Sequence, residues 1–229
     1  MIDVTSAAAR RRFYLDRARR KNTRGGGSNL ARLMDSDLPG LPSLDERLLT
    51  AVDGVLAGAL AAAAYAPARM TSDVDVLVRT SAYGDAERCL RHAGYRRERT
   101  LAFPNAALGL FGSSWRKGSA SLDLISSPQP WVAESFQTLV RNKRGLRILP
   151  LPYLVLMKLD SARGIDQGDL GRMLGRLRDD DVEQIVSAVC RHYGDPHAAD
   201  DIRQYAAIGR WEYETDGAER DGAGRDALP

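Results

Sequence analysis

The stretch RMTSDVDVLV, residues 69–78, decides the fold because it sets two acids into an otherwise apolar strand pattern. Side chains alternate between the two faces of a strand, so Asp73 and Asp75 lie on the same face. Two carboxylates at that spacing repel each other, and a divalent cation relieves the repulsion. Mg²⁺ prefers carboxylate oxygens and keeps positions open for substrate phosphates. We therefore predict that Asp73 and Asp75 bind Mg²⁺ or Mn²⁺; alternatively, Asp73 only begins the strand and Asp75 only faces solvent.

Two positions elsewhere in the chain extend this acidic pair. Asp123 lies inside the apolar strand pattern of residues 121–125, and an acid flanked by leucines in a strand is uncommon without a partner. We predict that it supplies a third carboxylate to the metal site from a neighbouring strand. Gly58 follows the short apolar run of residues 55–57. A glycine there would allow a backbone to approach a phosphate closely.

Along the whole chain, the hydrophobic pattern changes once, from mixed strand and helix periodicity to helix periodicity alone. Short strand patterns alternate with helical ones up to about residue 150, and only helical patterns follow residue 152. The predicted strands are 55–57, 74–79, 95–100, 110–115, 120–125 and 146–149. The predicted helices are 43–52, 60–65, 82–93, 131–139, 153–162, 167–177, 181–193 and 198–208. The sequence thus predicts a mixed α/β core, residues 43–150, and a C-terminal helical domain, residues 151–210.

The two ends of the chain carry opposite charge. Residues 10–24 hold eight basic residues and one acid, within a possible helix over residues 7–21, and the linker GGGS follows at residues 25–28. We interpret residues 1–42 as a basic extension and linker, and residues 211–229 as an acidic, flexible tail. Such ends are commonly solvated. Because the sequence shows no partner for the basic charge, phosphate contact along a nucleic acid is the alternative.

Bulk composition sets further limits. The 33 basic and 30 acidic residues give a formal charge of +3, which by itself does not require a nucleic-acid partner. Cys89 and Cys190 have neither a metal-ligand spacing nor a disulfide framework. We find no apolar run near the roughly 18 residues of a membrane span, and no apolar region behind the basic N-terminus. These features predict a cytoplasmic protein without a membrane partner.

Residues 43–180 resemble the polymerase β-like nucleotidyltransferases, and most closely the AbiEii-type toxins of type IV toxin–antitoxin systems. The first shared motif is Arg-x-Thr-x-Asp-hydrophobic-Asp, here residues 69–75. The second is a later helix of the form Lys-Leu-x-x-Ala, here KLDSAR at residues 158–163, with Asp166 and Asp169 following. One departure is Ala59, where the superfamily usually has a serine that helps to hold the terminal phosphates.

The resemblance implies specific roles. Asp73 and Asp75 would bind the metal, Lys158 would contact the phosphates of the nucleotide, and Asp169 would act as a catalytic or supporting acid. Lys158 lies on a mostly apolar helix, which suits a lysine with a buried stem and a hydrated ammonium group. Arg163 is expected to pair with Asp166 or Asp169. The residues expected to bind nucleotide are Gly58, Ala59, Arg69, Thr71 and Lys158.

The implied reaction is transfer of a nucleoside monophosphate from an NTP, ATP included, to an acceptor, with release of pyrophosphate. Three alternatives follow. The first is a toxin that modifies tRNA, with a cognate antitoxin as partner. The second is an enzyme with a small-molecule acceptor of the antibiotic type, in which Asp160 or Asp166 could bind the acceptor. The third is an inactive relative that only binds ligand, which Ala59 favours.

Trp115 is the remaining conspicuous side chain, since Arg116 and Lys117 follow it. Stacking on a nucleobase is one interpretation of this arrangement. The other, which we favour, is an aromatic residue at the edge of a hairpin.

Overall fold

The strands predicted between residues 55 and 149 form one mixed sheet in the computed structural model, which describes residues 6–21, 46–67, 71, 73–103, 106–142 and 145–213. Within these ranges the sheet has seven strands in the order β3-β4-β5-β2-β1-β7-β6. Their bounds are β1 Val55–Leu56, β2 Asp73–Leu77, β3 Arg96–Leu101, β4 Phe111–Lys117, β5 Ala120–Ser126, β6 Val140–Arg141 and β7 Arg147–Ile148. The predicted mixed α/β class is confirmed.

The centre of the sheet is the parallel pair β2 and β5. Val74 pairs with Leu122 and Val76 with Leu124, and all four side chains are buried. The residues between them on each strand therefore project from the opposite face. On one side β5 forms a hairpin with β4, and on the other β2 pairs antiparallel with β1. The sheet thus fixes which face of β2 and β5 presents its polar residues.

Among the described residues between 46 and 150, four short α-helices accompany the strands. These are α2 Glu46–Ala51, α3 Gly58–Ala62, α4 Tyr83–His92 and α5 Pro130–Ser135. Helix α4 buries Ala86 and Leu90, four residues apart on one face, and its basic and acidic residues face outward. Helix α3 begins at Gly58, two residues before the predicted start, and residues 43–45 of the predicted helix 43–52 lie outside the described residues.

The described chain after residue 150 is helical, as predicted. Its helices are α6 Leu151–Ser161, α7 Gly164–Leu174, α8 Asp179–Cys190 and α9 Ala198–Tyr213. Helices α7 and α9 approach each other closely through glycines. A Cβ added at Gly209 would lie 1.9 Å from the carbonyl oxygen of Gly171, and one at Gly175 would lie 2.3 Å from the carbonyl carbon of Gly209. Side chains at these positions would force the two helices apart.

Helix α1 spans Ala7–Lys21, as the periodicity predicts, and packs against α6, α7 and α9. The basic charge of this helix was expected to have no partner within the protein, and for Arg11 that expectation is wrong. The Arg11 guanidinium is fully buried and donates to Asp201 (2.8 Å), to the carbonyl oxygen of Leu159 (2.8 Å), to Tyr193 and to Asp195. A buried guanidinium requires such partners, which here come from residues at least 148 positions away in the sequence.

Trp115 corrects a second expectation. It is fully buried rather than at a hairpin edge or open to a base, because α4 covers this face of the hairpin. Its indole N–H donates to the hydroxyl of Ser113 (2.8 Å), and the guanidinium of Arg91 lies 5.3 Å from the ring centroid. None of the helices that the structure describes combines the length and apolar character that a membrane crossing requires.

Candidate active site

The acids predicted on β2 and β5 lie at the same level of the sheet. Asp75 pairs directly with Asp123 in the parallel register, and Asp73 pairs with Ser121. All three carboxylates line one cavity of about 620 Å³. The predicted placement of Asp123 on the face of the other two acids is therefore confirmed, while its role as a metal ligand stays a prediction.

Gly58 forms part of the cavity wall beside Asp75. Its backbone has a φ of +57°, which favours glycine, and a Cβ at this position would lie 1.7 Å from Oδ2 of Asp75. Only a residue without a side chain lets the Asp75 carboxylate occupy this position. The glycine at the start of α3 is thus required by the carboxylate as well as by the backbone.

The electrostatic setting of Asp75 is unfavourable for an isolated anion. Burial at the floor of the cavity and the neighbouring carboxylates of Asp123 and Asp73 raise the pKa of Asp75 to about 7. The positive charges of Arg163 and Lys158 act in the opposite direction and only partly offset this rise. A cation bound beside Asp75 would favour its ionised form.

Asp123 experiences a similar but weaker effect. Burial raises the pKa of Asp123, a hydrogen bond from Ser114 lowers it, and the charge of Asp73 raises it further. Arg99, on the edge strand β3, lines the same cavity and favours the ionised form of Asp123. The acidic cluster formed by Asp73, Asp75 and Asp123 therefore faces cationic side chains from β3, α6 and the start of α7.

Lys158 lines the cavity from α6, but its ammonium group differs from the hydrated group that we expected. Its side chain is only 4% exposed. Nζ donates to Oδ1 of Asp166 (2.9 Å) and to Oδ2 of Asp169 (2.7 Å), so it joins α6 to α7. A buried ammonium must be paired, and two carboxylates of the following helix provide the partners.

Arg163 pairs with Asp166, as expected, through a hydrogen bond of 2.7 Å from Nε. Its side chain is 70% exposed and lines the cavity. Burial lowers the pKa of Arg163, but the hydrogen bond and charge of Asp166, followed by the charges of Asp75 and Asp73, raise it above its usual value. Arg163 thus combines solvent access with proximity to the acidic cluster. The sequence had given it only the role of tying helices together.

The other predicted site residues are not part of the cavity wall that the structure describes. Asp169 is buried between Lys158 and Arg172, and Arg172 donates a hydrogen bond of 2.6 Å to it. Ala59 is buried beside it in a small depression. Thr71 bonds through its hydroxyl to the carbonyl oxygen of Asp73 (3.3 Å). Arg69 lies outside the described residues.

Both acids considered for acceptor binding line the cavity. Asp160 accepts hydrogen bonds from the backbone N–H groups of Ala107 (2.8 Å) and Leu108 (3.3 Å), so it also holds the segment before β4 in position. Asp166 accepts from Lys158, Arg163 and the hydroxyl of Ser161. Their carboxylates therefore already have structural roles.

Sequence reasoning missed the part of the wall that comes from α1. Arg10 and Tyr14 line the cavity. They are four residues apart and so share a face of the helix, which is visible in the sequence. What the sequence does not indicate is the surface against which that face packs.

The residues present fit a divalent cation held by a pair of carboxylates. Within the described ranges, no three His, Cys, Asp or Glu side chains are grouped so as to form a complete metal site. Mg²⁺ commonly takes one or two carboxylates and completes its shell with water and substrate phosphates. Asp73 and Asp75 match that pattern. The raised pKa of Asp75 reflects burial and repulsion between carboxylates, and a bound cation would relieve that repulsion.

Comparison with known proteins gives limited information. No family model matches the chain, and no curated protein matches it. The chain is similar to the crystal structure of ANT(2'')-Ia in complex with adenylyl-2''-tobramycin, with 17% identity, coverage of 72% of this chain and 94% of that one, and a TM-score of 0.38. It is also similar to a solution structure of the antibiotic-resistance factor ANT(2'')-Ia, with 17% identity, coverage of 73% and 89%, and a TM-score of 0.39. At such TM-scores the similarity carries no functional conclusion, and the function is inferred from the cavity itself.

Proposed function

We propose that the chain is a nucleotidyltransferase that moves a nucleoside monophosphate from an NTP to a hydroxyl group of an acceptor. One observation carries the proposal: the acidic cluster of Asp73, Asp75 and Asp123 shares a cavity of about 620 Å³ with Arg163 and other cations. Carboxylates that hold a metal and cations that face polyphosphate are the two requirements of this chemistry. The volume lies within the range of about 300–1,000 Å³ typical of small-ligand sites.

In the proposed reaction the acceptor oxygen forms a bond to the α-phosphorus of the NTP. The bond from that phosphorus to the oxygen bridging to the β-phosphorus breaks, and pyrophosphate leaves. The proton of the hydroxyl passes to a carboxylate of the acidic cluster. Asp73 and Asp75 would hold Mg²⁺ or Mn²⁺, which when bound supplies charge neutralisation at the transferred phosphoryl group. Catalysis would rest on positioning and electrostatics.

Arg163 is the side chain that we assign to the phosphates of the NTP. Its side chain is largely exposed and lines the cavity. Burial lowers its pKa and the contact with Asp166 raises it; the charges of Asp75 and Asp73 raise it further. Arginine binds phosphate oxygens through paired N–H donors. Lys158, by contrast, already donates to two buried carboxylates, so its main contribution would be to hold α6 and α7 in register.

For the acceptor we propose a small molecule. The volume of the cavity suits such a compound. Asp160 and Asp166 lie in its wall, where both carboxylates also accept hydrogen bonds from the protein. The buried position of Arg11 removes one charge from any contact with nucleic acid. One observation still favours the tRNA alternative: four arginines of α1 are exposed, namely Arg12, Arg17, Arg19 and Arg20. The AbiEii-type assignment, with its antitoxin partner, stays a prediction from the resemblance.

The test is transfer of label from each of the four α-³²P-labelled NTPs, with Mg²⁺ or Mn²⁺, to aminoglycoside-type compounds or to total tRNA. We expect a labelled small molecule from the wild-type protein. Asp75→Asn should reduce labelling by about 10²–10³-fold, the magnitude typical when a group that stabilises transition-state charge is lost.

Asp85→Asn is the matched control, since Asp85 is an exposed acid on α4 outside the cavity wall that the structure describes. It should label like the wild type. Labelled tRNA would establish the alternative acceptor, and equal labelling by Asp75→Asn would remove the assignment of this cavity. If the wild-type protein transferred no label to either kind of acceptor, the inactive relative would be the better description.

A further inference from the structure

Helix α1 lies outside the segment that resembles the nucleotidyltransferases, yet it forms one wall of the cavity. Arg10 and Tyr14 both line it. Tyr14 is 37% exposed, so part of its ring is not covered by the protein. A ring that is only partly covered by the protein retains surface for a ligand.

The orientation of α1 is fixed by the residues on its inner face. Arg11 is fully buried and donates to the carbonyl oxygen of Leu159 at the end of α6 and to Asp201 of α9. Leu15, one turn later, is 2% exposed and belongs to the core. Since these two side chains point inward, the helix cannot rotate about its axis, and the face with Arg10 and Tyr14 is held toward the cavity.

The ring of Tyr14 lies against the first residue of α7. A Cβ added at Gly164 would lie 3.1 Å from the Tyr14 hydroxyl oxygen, 3.4 Å from Cζ and 3.6 Å from Cε1. Gly164 follows Arg163 directly, and Arg163 interacts with the acidic cluster. Tyr14 is therefore next to the arginine assigned to the phosphates, and it lines the same cavity as the strand carboxylates.

We propose that Tyr14 stacks on the nucleobase of the NTP, so that α1 completes the nucleotide site. This inference rests on the proposed function, since the proposed function places the triphosphate between the acidic cluster and Arg163. With the phosphates there, the base extends toward the partly exposed tyrosine ring. Base–aromatic stacking is tolerant of base identity, since every base has a π-face. Arg10, one turn before Tyr14, lies beside the bound nucleotide.

The experiment compares two probes by calorimetry in the presence of Mn²⁺. One is the tightest-binding of the four NTPs, and the other is inorganic triphosphate, which has no base. Tyr14→Leu should weaken NTP binding by about 5- to 150-fold, the range expected for loss of one stacking contact, and leave triphosphate binding unchanged. Tyr14→Phe should bind both probes like the wild type.

Trp211→Leu is the matched control, because Phe13, the other exposed aromatic residue of α1, contacts the ring of Tyr14 with 5.8 Å between centroids. Trp211 is 39% exposed on α9 and does not belong to the cavity wall that the structure describes. It should bind both probes normally. Undiminished NTP binding by Tyr14→Leu would overturn the stacking role, and so would an equal loss of NTP and triphosphate binding. Failure of the wild-type protein to bind either probe would overturn the proposed function together with this inference.

Discussion

Gly58→Ala is the substitution whose effect the structure defines most sharply. It changes one hydrogen to a methyl group at a residue with φ of +57°. The new Cβ would meet Oδ2 of Asp75 at 1.7 Å and its Cγ at 2.6 Å. The carboxylate therefore has to leave its position, or β2 and α3 have to separate.

Two costs add in this variant. A residue with a side chain in the left-handed region costs about 1–2 kcal/mol relative to glycine. Forcing an extra methyl group into a packed position costs about 1–3 kcal/mol more. Gly118→Ala isolates the first cost, because Gly118 has a φ of +59° and no described atom lies within 4 Å of its added Cβ. The expected difference between the two variants is thus the cost of displacing Asp75, about 1–3 kcal/mol.

Urea unfolding of the two variants gives both free energies of unfolding, and calorimetry with Mn²⁺ and an NTP gives binding. We expect Gly118→Ala to bind like the wild type and Gly58→Ala to lose binding as Asp75→Asn does. Equal stability of the two variants, combined with normal binding by Gly58→Ala, would show that the contact between Gly58 and Asp75 is not what holds the carboxylate.

Three further substitutions test the packing that surrounds the site. Arg11→Met should lower the free energy of unfolding by about 3–5 kcal/mol, because it leaves buried carboxylate partners without their cation. Lys158→Met should cost less, about 1–3 kcal/mol, because Arg163 and Arg172 still donate to Asp166 and Asp169. A lysine that only contacted phosphate would leave stability unchanged in the absence of nucleotide. Gly209→Ala should destabilise by about 1–3 kcal/mol, since its Cβ would overlap the backbone of α7, while Gly194→Ala, whose Cβ meets no described atom, should have little effect. Urea unfolding of each variant checks all three.

Local patterns were sufficient to predict the elements that carry the site. The alternation of acids with buried valines on β2 predicted both the strand and the common face of Asp73 and Asp75. The same alternation around Asp123 predicted β5. That the two strands are neighbours was an inference from the chemistry, and the register confirms it. Their parallel direction was not predicted and is a finding of the structure.

Partners distant in sequence could not be predicted. Arg11 is one of eight basic residues within a short segment, and nothing in its immediate sequence distinguishes it from Arg12. The structure buries the first and exposes the second. Which face of an arginine-rich helix packs inward depends on Asp201, which lies 190 residues away.

The surroundings of Lys158 and Trp115 also could not be predicted from the neighbouring sequence. The apolar helix around Lys158 predicted its buried stem, but the acids that also bury its ammonium group lie on the next helix. Trp115 lies near the end of a hairpin strand, and only the packing of α4 over that face explains its complete burial. Both corrections concern contacts between elements rather than the elements themselves.

The parallel register of β2 and β5 constrains how this chain can change through evolution. Asp123 alternates with the buried residues Leu122 and Leu124, so insertion or deletion of one codon within β5 would exchange the two faces and turn an acid toward the apolar core. Point substitutions such as Asp123→Asn can remove the chemistry and spare the core, whereas changes in strand length damage both together. Descendants that have lost activity but still fold should therefore keep the lengths of these two strands.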